Sequence, residues 1–414
     1  MTGDRAVEDL LRSEAPQVLG ALVRRFGRFD VAEDAVQEAL VAANRAWAVD
    51  GVPENPRSWL IRIGYRRMVD LLRSDQARQR REWEAGVAEL AMAEPSRLAD
   101  PPPDTDDSLT LLMLCCHPVL STTSQVALTL RAVGGLTTAE IAHAFGTTET
   151  TMATRISRAK RQLAGAGARF TPPTDADRAG RTAAVAQVLY LVFNEGYTAS
   201  AGTELVRVDL TREAIRLTRT LHDLLPDDPE VTGLLALELL TEARRPGRVG
   251  ADGLVPLEEQ DRTRWDRELI DEGTALIDSV WGRRDVGPYR LQAAVAAVHA
   301  AAATPEETDW PQIATLYLWL EQLAPTNPVR LSRVVAVARA YGPERGLALL
   351  ADLDRRHGLA DDPLTRQRVP AIRAHLLDAT GERTSAAALY RDAAALTRNE
   401  VERTYLLGKA EGQT

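Results

Sequence analysis

The chain has 414 residues, 45% of them hydrophobic and 26% charged, with a net charge of −9. That length calls for two or more domains, and the composition is that of an ordinary globular protein. The net negative charge excludes a wholly basic nucleic-acid coat: positive charge is local, around Arg62–Arg81 and Arg155–Arg161.

At the N-terminus Asp4, Glu8 and Asp9 stand where a secretion signal needs basic residues, and no run is long and apolar enough for a membrane span. A cytoplasmic location is expected. Leu and Ala dominate the apolar set, which favours helices, so the fold class expected is all-α. Residues 30–47 read DVAEDAVQEALVAANRAW, an acidic helical pattern bearing Glu33, Asp34, Gln37 and Glu38. By itself this is a helix whose acidic start suits its dipole. Residues 55–73 read NPRSWLIRIGYRRMVDLLR, a second helix with Arg62, Arg66 and Arg67 on it. Trp59, Leu60 and Ile63 form an apolar stripe at helical spacing, which favours core over a stacking platform for Trp59. Residues 1–81 are read as one helical bundle.

Residues 82–107 are acidic and proline-rich, ending DPPPDTDD, which stops helix and favours an extended chain. Cys115 and Cys116 follow, beside His117. Adjacent cysteines are poorly placed to chelate one ion, and their apolar flank predicts structural thiols, so no metal and no cofactor is expected.

Residues 136–163 read LTTAEIAHAFGTTETTMATRISRAKRQL. Ile141, Ala142 and Phe145 share one face of a short helix. After a turn at Gly146, Met152, Ile156, Ala159 and Leu163 share one face of a second. Thr154, Arg155, Arg158, Lys160 and Arg161 are read on its other side. This is a helix-turn-helix whose second helix can enter a DNA major groove, with residues 108–168 as its domain. A solvated helical hairpin fits the same pattern.

Two motifs in this order carry a resemblance. Residues 30–73 resemble region two of the extracytoplasmic-function sigma factors of bacterial RNA polymerase, and TMATRISRAK at 151–160 resembles the end of their region four. There are departures: Trp47 sits about one turn late, Arg66 replaces a common Asn, and Gly64 replaces an Ala. The resemblance implies a factor without catalysis that brings core RNA polymerase to promoter DNA. Glu33, Asp34, Gln37 and Glu38 would meet basic helices of the polymerase. Arg62, Arg66 and Arg67 would neutralise phosphate at the melting element, and residues 49–55 would pocket a flipped base. Thr154, Arg155 and Arg158 would read the upstream element, with Lys160 and Arg161 on phosphate. Residues 82–107 would thread toward the active-site and RNA-exit channels or serve as a plain tether.

Residues 175–414 exceed a two-domain factor. Helical patterns run over 182–193, 212–225, 230–243, 260–281, 289–303, 311–323, 331–340, 345–357, 365–379 and 385–396. Residues 374–393 are similar to a tetratricopeptide repeat, and 338–350 echo them. Ala379, Gly381 and Ala387 are read as small residues that let helices approach. Stacked hairpins of this kind present concave surfaces to a protein or peptide partner. Asn194, Glu195, Asp261, Arg262 and Trp265 are candidates for an interface between extension and core; internal capping is the alternative. Glu195, Glu258, Glu259 and Asp261 have no accompanying nucleophile–base pair, so no enzyme is expected. A polymerase-independent regulator with a helical sensor domain is the alternative function, and the region-two motif speaks against it.

Overall fold

The computed structural model describes residues 2–83, 107–145, 147–168, 170, 175–250 and 253–412. Among these the structure is helical throughout, with four two-residue strands. The chain divides into two units, the first comprising Met1–His143 and Thr147–Leu189, the second running from Tyr190 onward.

The first unit opens with α1 (Thr2–Phe26), α2 (Phe29–Asp50) and α3 (Pro56–Trp83), which pack together around Leu19, Leu22, Ala35, Ala39, Leu60 and Met68. Gly64 has a steric reason: a Cβ there would lie 2.9 Å from Leu22 Cδ1, so the glycine lets α3 close on α1. The acidic, proline-rich stretch lies outside the described residues except at its ends. Four helices follow: α4 (Ser108–Cys115), α5 (Thr122–Ala132), α6 (Thr138–Ala144) and α7 (Glu149–Gly165). A reciprocal capping box starts α6: Thr137 N–H donates to Glu140 at 2.7 Å, and Glu140 N–H to the Thr137 hydroxyl at 3.1 Å. Gly146, where the turn is expected, lies outside the described residues; beside it Thr147 N–H donates to Ala142 O at 3.0 Å. Thr148 caps α7 through Thr151 N–H. Met152, Ile156, Ala159 and Leu163 are all buried, as the periodicity predicts.

Cys115 and Cys116 are completely buried. Burial pushes the Cys116 thiol up to about 12, with the Thr129 hydroxyl 3.6 Å away opposing it. The next helix, α8 (Asp175–Tyr197), carries the division between the units: its residues to Leu189 belong to the first, where Arg181 donates to Met113 O at 3.4 Å. The extension read as starting at 175 therefore shares its first helix with the preceding unit.

The second unit continues with β1 (Ala201–Gly202), α9 (Val208–Leu224), α10 (Pro229–Glu242), α11 (Arg245–Arg248) and the hairpin β2 (Val249–Gly250) and β3 (Gly253–Leu254). A 3-10 turn (Arg262–Arg264) leads into α12 (Arg267–Trp281), α13 (Pro288–Ala301), α14 (Trp310–Leu323) and α15 (Asn327–Tyr341). Then come α16 (Pro343–His357), α17 (Arg368–Ala379), α18 (Arg383–Leu396), β4 (Arg398–Asn399) and α19 (Glu400–Glu411). From α12 on, each helix packs on the next in sequence, giving successive small cores such as Leu291/Ile313/Leu320 and Leu331/Leu350/Leu376. Gly381 is not the close-approach residue it was read as. It adopts φ +88° with open space where a Cβ would be, and it turns the chain between α17 and α18. The close approach is at Gly346, where a Cβ would meet Ala338 Cβ at 2.5 Å.

The stack closes on itself. β4 pairs in parallel with β1, and Asn399 Nδ2 donates to Ala199 O at 3.1 Å and Glu204 O at 2.8 Å. Lys409 on α19 reaches Glu259 at 3.5 Å, and Arg339 on α15 pairs with Glu258.

Candidate nucleic-acid interface

On α7, Thr154, Arg158 and Arg161 are exposed and lie on the side away from the buried stripe, while Arg155 is half-buried at its flank. Three of the five expected contacts thus form one accessible face of the second helix of a helix-turn-helix. The Thr154 hydroxyl is engaged locally, donating to Thr150 O at 2.9 Å. Among the described residues no carboxylate forms an ion pair with this row, so its guanidinium groups are presented to solvent, the arrangement a polyanion needs.

Lys160 lies elsewhere. It is only 9% exposed, and its ammonium sits 2.5 Å from Glu33 Oε2 and 2.7 Å from Asp34 Oδ1, both on α2. It also donates to Asp30 O at 3.4 Å. Burial alone would lower its pKa; Glu33 and Asp34 outweigh that and hold it above its ordinary value. Its place was readable: four residues after Ile156 and three before Leu163, it borders the apolar stripe at 3.6 residues per turn.

Glu33 is 1% exposed and accepts a second cation, Arg131 Nε on α5, at 2.8 Å. Arg131 also donates to Leu136 O at 3.1 Å, tying the end of α5 to the turn before α6. Arg131 was missed in the sequence, where it only terminates the buried run Val126–Leu130. Asp34 and Glu38 keep large exposed fractions, and Gln37 is half-buried beside them. Glu38 meets Arg67 at 3.3 Å, both half-exposed. Arg62 and Arg66 are exposed one turn apart on α3.

The loop after α2 is compact. Gly51, at φ +79°, donates to Trp47 O, and Asn55 Oδ1 accepts Ser58 N–H at 3.0 Å to start α3. Trp47 is buried and Trp59 stands edge-on to it, ring centroids 5.6 Å apart, half-buried. Val49 beside them is 84% exposed.

In the second unit the five residues singled out have internal partners or positions of their own. Glu195 accepts both the N–H and the hydroxyl of Ser200, at 3.0 and 3.1 Å, and burial raises its pKa against those bonds. Asp261 caps the 3-10 turn through Thr263, whose hydrogen bonds lower its pKa. Arg262 is buried and donates to the carbonyls of His299 (3.0 Å) and Ala302 (2.7 Å) and to the Thr308 hydroxyl (2.9 Å), fastening the end of α13. Trp265 is buried against the Arg262 guanidinium, 5.0 Å from ring centroid to Cζ. Asn194 is exposed. Capping and internal packing account for Glu195, Asp261, Arg262 and Trp265. Among the described residues no group of three or more His, Cys, Asp or Glu could hold a metal ion, and no helix is long and apolar enough to cross a membrane.

Comparison with known proteins matches the two halves of the first unit separately. The Sigma-70 region 2 family matches residues 10–78, and the Sigma-70 region 4 family matches residues 110–163. A family of unknown function, DUF6596, matches residues 181–281. The chain is 43% identical over 417 residues to an uncharacterised protein of Rhizobium meliloti (strain 1021), covering 98% of this chain and 95% of that protein. It is 29% identical over 148 residues to the ECF RNA polymerase sigma factor SigK of Mycobacterium ulcerans (strain Agy99), covering 36% of this chain and 78% of that one. No solved structure matches. The chain thus carries both Sigma-70 regions, in order and followed by a further helical unit, and is a homologue of the extracytoplasmic-function sigma factors, a family of non-catalytic initiation factors.

Proposed function

We propose that this sigma factor directs core RNA polymerase to its promoters and is regulated through its own C-terminal unit. The observation that carries the first half is the exposed row Thr154, Arg158 and Arg161 on a helix-turn-helix that is preceded by an intact region two. On this reading Arg158 contacts a base edge and Arg161 a phosphate, a reading their exposure supports. On region two, Arg62 and Arg66 stand ready for phosphate at the melting element, and the acidic face of α2 suits basic helices of the polymerase. The globally negative chain binds DNA weakly alone, so promoter affinity is a property of the holoenzyme.

Support for the regulatory half lies in the size and self-closure of the second unit, which no part of promoter recognition requires. Tetratricopeptide-like stacks take protein or peptide ligands on their inner face, and such a ligand is the expected effector. The test is in vitro transcription with purified core polymerase, comparing the full chain with one ending at Leu189, where the first unit ends. Promoter-specific transcripts from at least one form are expected. Equal activity of both forms removes the regulatory half; no transcript from either, on a genomic template library, removes the whole reading.

A further inference from the structure

Glu33 and Lys160 are expected from the sequence on two surfaces with different tasks, one for polymerase and one for DNA, yet here they pair with each other. We propose that the first unit is a closed form of the sigma factor, in which region four is latched across the polymerase-facing side of region two by Glu33, Asp34, Lys160 and Arg131. This deepens the function proposed above and rests on it.

Three observations carry the latch. First, the charges balance: two carboxylates on α2 meet one cation from α7 and one from α5, at 2.5–2.8 Å. A carboxylate as buried as Glu33 persists only when paired, so its burial is a product of region four being in place. Second, the same closure is made again at the other end of region four. Arg24 on α1 pairs with Asp107, Gln17 Nε2 donates to the Ser108 hydroxyl at 2.9 Å, and Gly20 leaves room for the Asp107 side chain, which a Cβ there would strike. Third, the seam beside the latch is open. A cleft of about 470 Å³ opens along it, lined by Gln37, Glu38, Arg45, Arg67, Arg131 and Thr138 among others. Ion pairs beside an open cleft are the kind of contact that a competing basic surface can exchange for its own.

The chain between Trp83 and Asp107 can extend to roughly 80 Å, long enough for region four to leave. Opening would return Glu33 to the acidic face of α2 and Lys160 to the basic side of the recognition helix. Polymerase and region four thus compete for one set of carboxylates, and the closed form keeps free sigma factor off both core enzyme and DNA.

The chain offers an unusually clean test, because Lys160 and Lys409 are its only lysines. A zero-length carbodiimide joins a lysine to a carboxylate only in direct contact. The full-length chain is treated alone and after saturation with core polymerase, and the cross-linked peptides are quantified. The Lys409–Glu259 pair of the second unit serves as internal reference. In the free chain Lys160 is expected to couple to Glu33 or Asp34 at a yield comparable with the reference, falling at least tenfold on polymerase. In parallel, Arg131→Met with Lys160→Met should bind core polymerase, without DNA, about tenfold more tightly than the parent. A reference cross-link without any Lys160 cross-link in the free chain overturns the latch. So does a Lys160 cross-link that survives in the polymerase complex, or an opened variant that binds no better. A chain that cross-links as expected but never binds core polymerase leaves the closed fold intact and refutes the sigma assignment instead.

Discussion

Glu238 on α10 makes the second unit's stability depend on pH in a way that can be worked out. It is fully buried, and no cation or backbone N–H pairs with either carboxylate oxygen. Burial pushes its pKa from an ordinary 4.5 up to about 8, with Thr218 on α9 pulling weakly the other way. The folded unit therefore keeps a proton that the unfolded chain releases near 4.5. Below that pH both states are protonated and the stabilisation is fully present. Between 4.5 and about 8 the unfolded state binds fewer protons, so stability falls, and above about 8 the contribution is gone. The slope for one proton is about 1.4 kcal/mol per pH unit, on the order of 5 kcal/mol across the window. Glu238→Gln keeps the shape and cannot ionise. Its amide adds a constant offset, but not a slope. At roughly 2–4 °C per kcal/mol for a unit of this size, the melting temperature of the variant should gain about 10 °C on the parent between pH 5 and pH 8. Scanning calorimetry of the full-length proteins at pH 5, 6, 7 and 8 measures this. Parallel curves for parent and variant would show that Glu238 finds a partner or water that the geometry does not contain, and the reasoning would be wrong.

Arg262→Met should lower the stability of the second unit by about 3 kcal/mol or more, because the His299 and Ala302 carbonyls and the Thr308 hydroxyl lose a charged donor together; a urea midpoint unchanged from the parent's contradicts this. Lysine at 262 should not rescue it, since one ammonium cannot copy the planar fork. Arg158→Ala should weaken holoenzyme binding to the upstream promoter element by about 1–3 kcal/mol if Arg158 reads a base, measured by competition with scrambled DNA; equal loss on both DNAs assigns it to phosphate. Cys115 and Cys116 should resist a maleimide in the native protein at pH 8 and react in urea, because both are buried and Cys116 stays a neutral thiol to about 12. Rapid native labelling, read by mass spectrometry, would mean that the first unit opens around α4.

Much of this molecule was legible before any coordinates, and the limits have physical causes. Periodicity located α9, α10 and α12 to α18, because each helix must bury one stripe and a stripe has a period; the single turn α11 is too short to show one. It missed α19, although Asn399 and Glu402 stand three apart in a capping arrangement: the helix is short and its hydrophobic residues are few. It drew α12 too long, since Asp266 caps a new helix just after the 3-10 turn and only side-chain hydrogen bonds reveal that break. Thr154, Arg158 and Arg161 are exposed on the side of α7 opposite its buried stripe, a placement that follows from the same periodicity. Lys160 was grouped with them by charge, and charge does not encode which neighbour a flanking residue will meet. Its partners are about 130 residues away in the chain, on α2, and no local pattern carries that information. The same holds for Arg262: its value lies in three acceptors brought together by the tertiary fold.

The parallel pairing of β1 with β4 has a temporal side. An open stack of hairpins can fold piece by piece as it emerges from the ribosome, each repeat leaning on the last. Here Asn399 must find Ala199 and Glu204 some 200 residues upstream, so the second unit cannot be finished until nearly the whole message has been translated. At about 5–20 residues per second, the 225 residues beyond Leu189 take roughly 10–45 s to synthesise. During that interval the sigma unit is already outside the ribosome, complete in itself while the second unit is still half-made. A stop codon just before Arg398 would prolong the interval indefinitely, releasing a chain whose second unit had never been joined end to end.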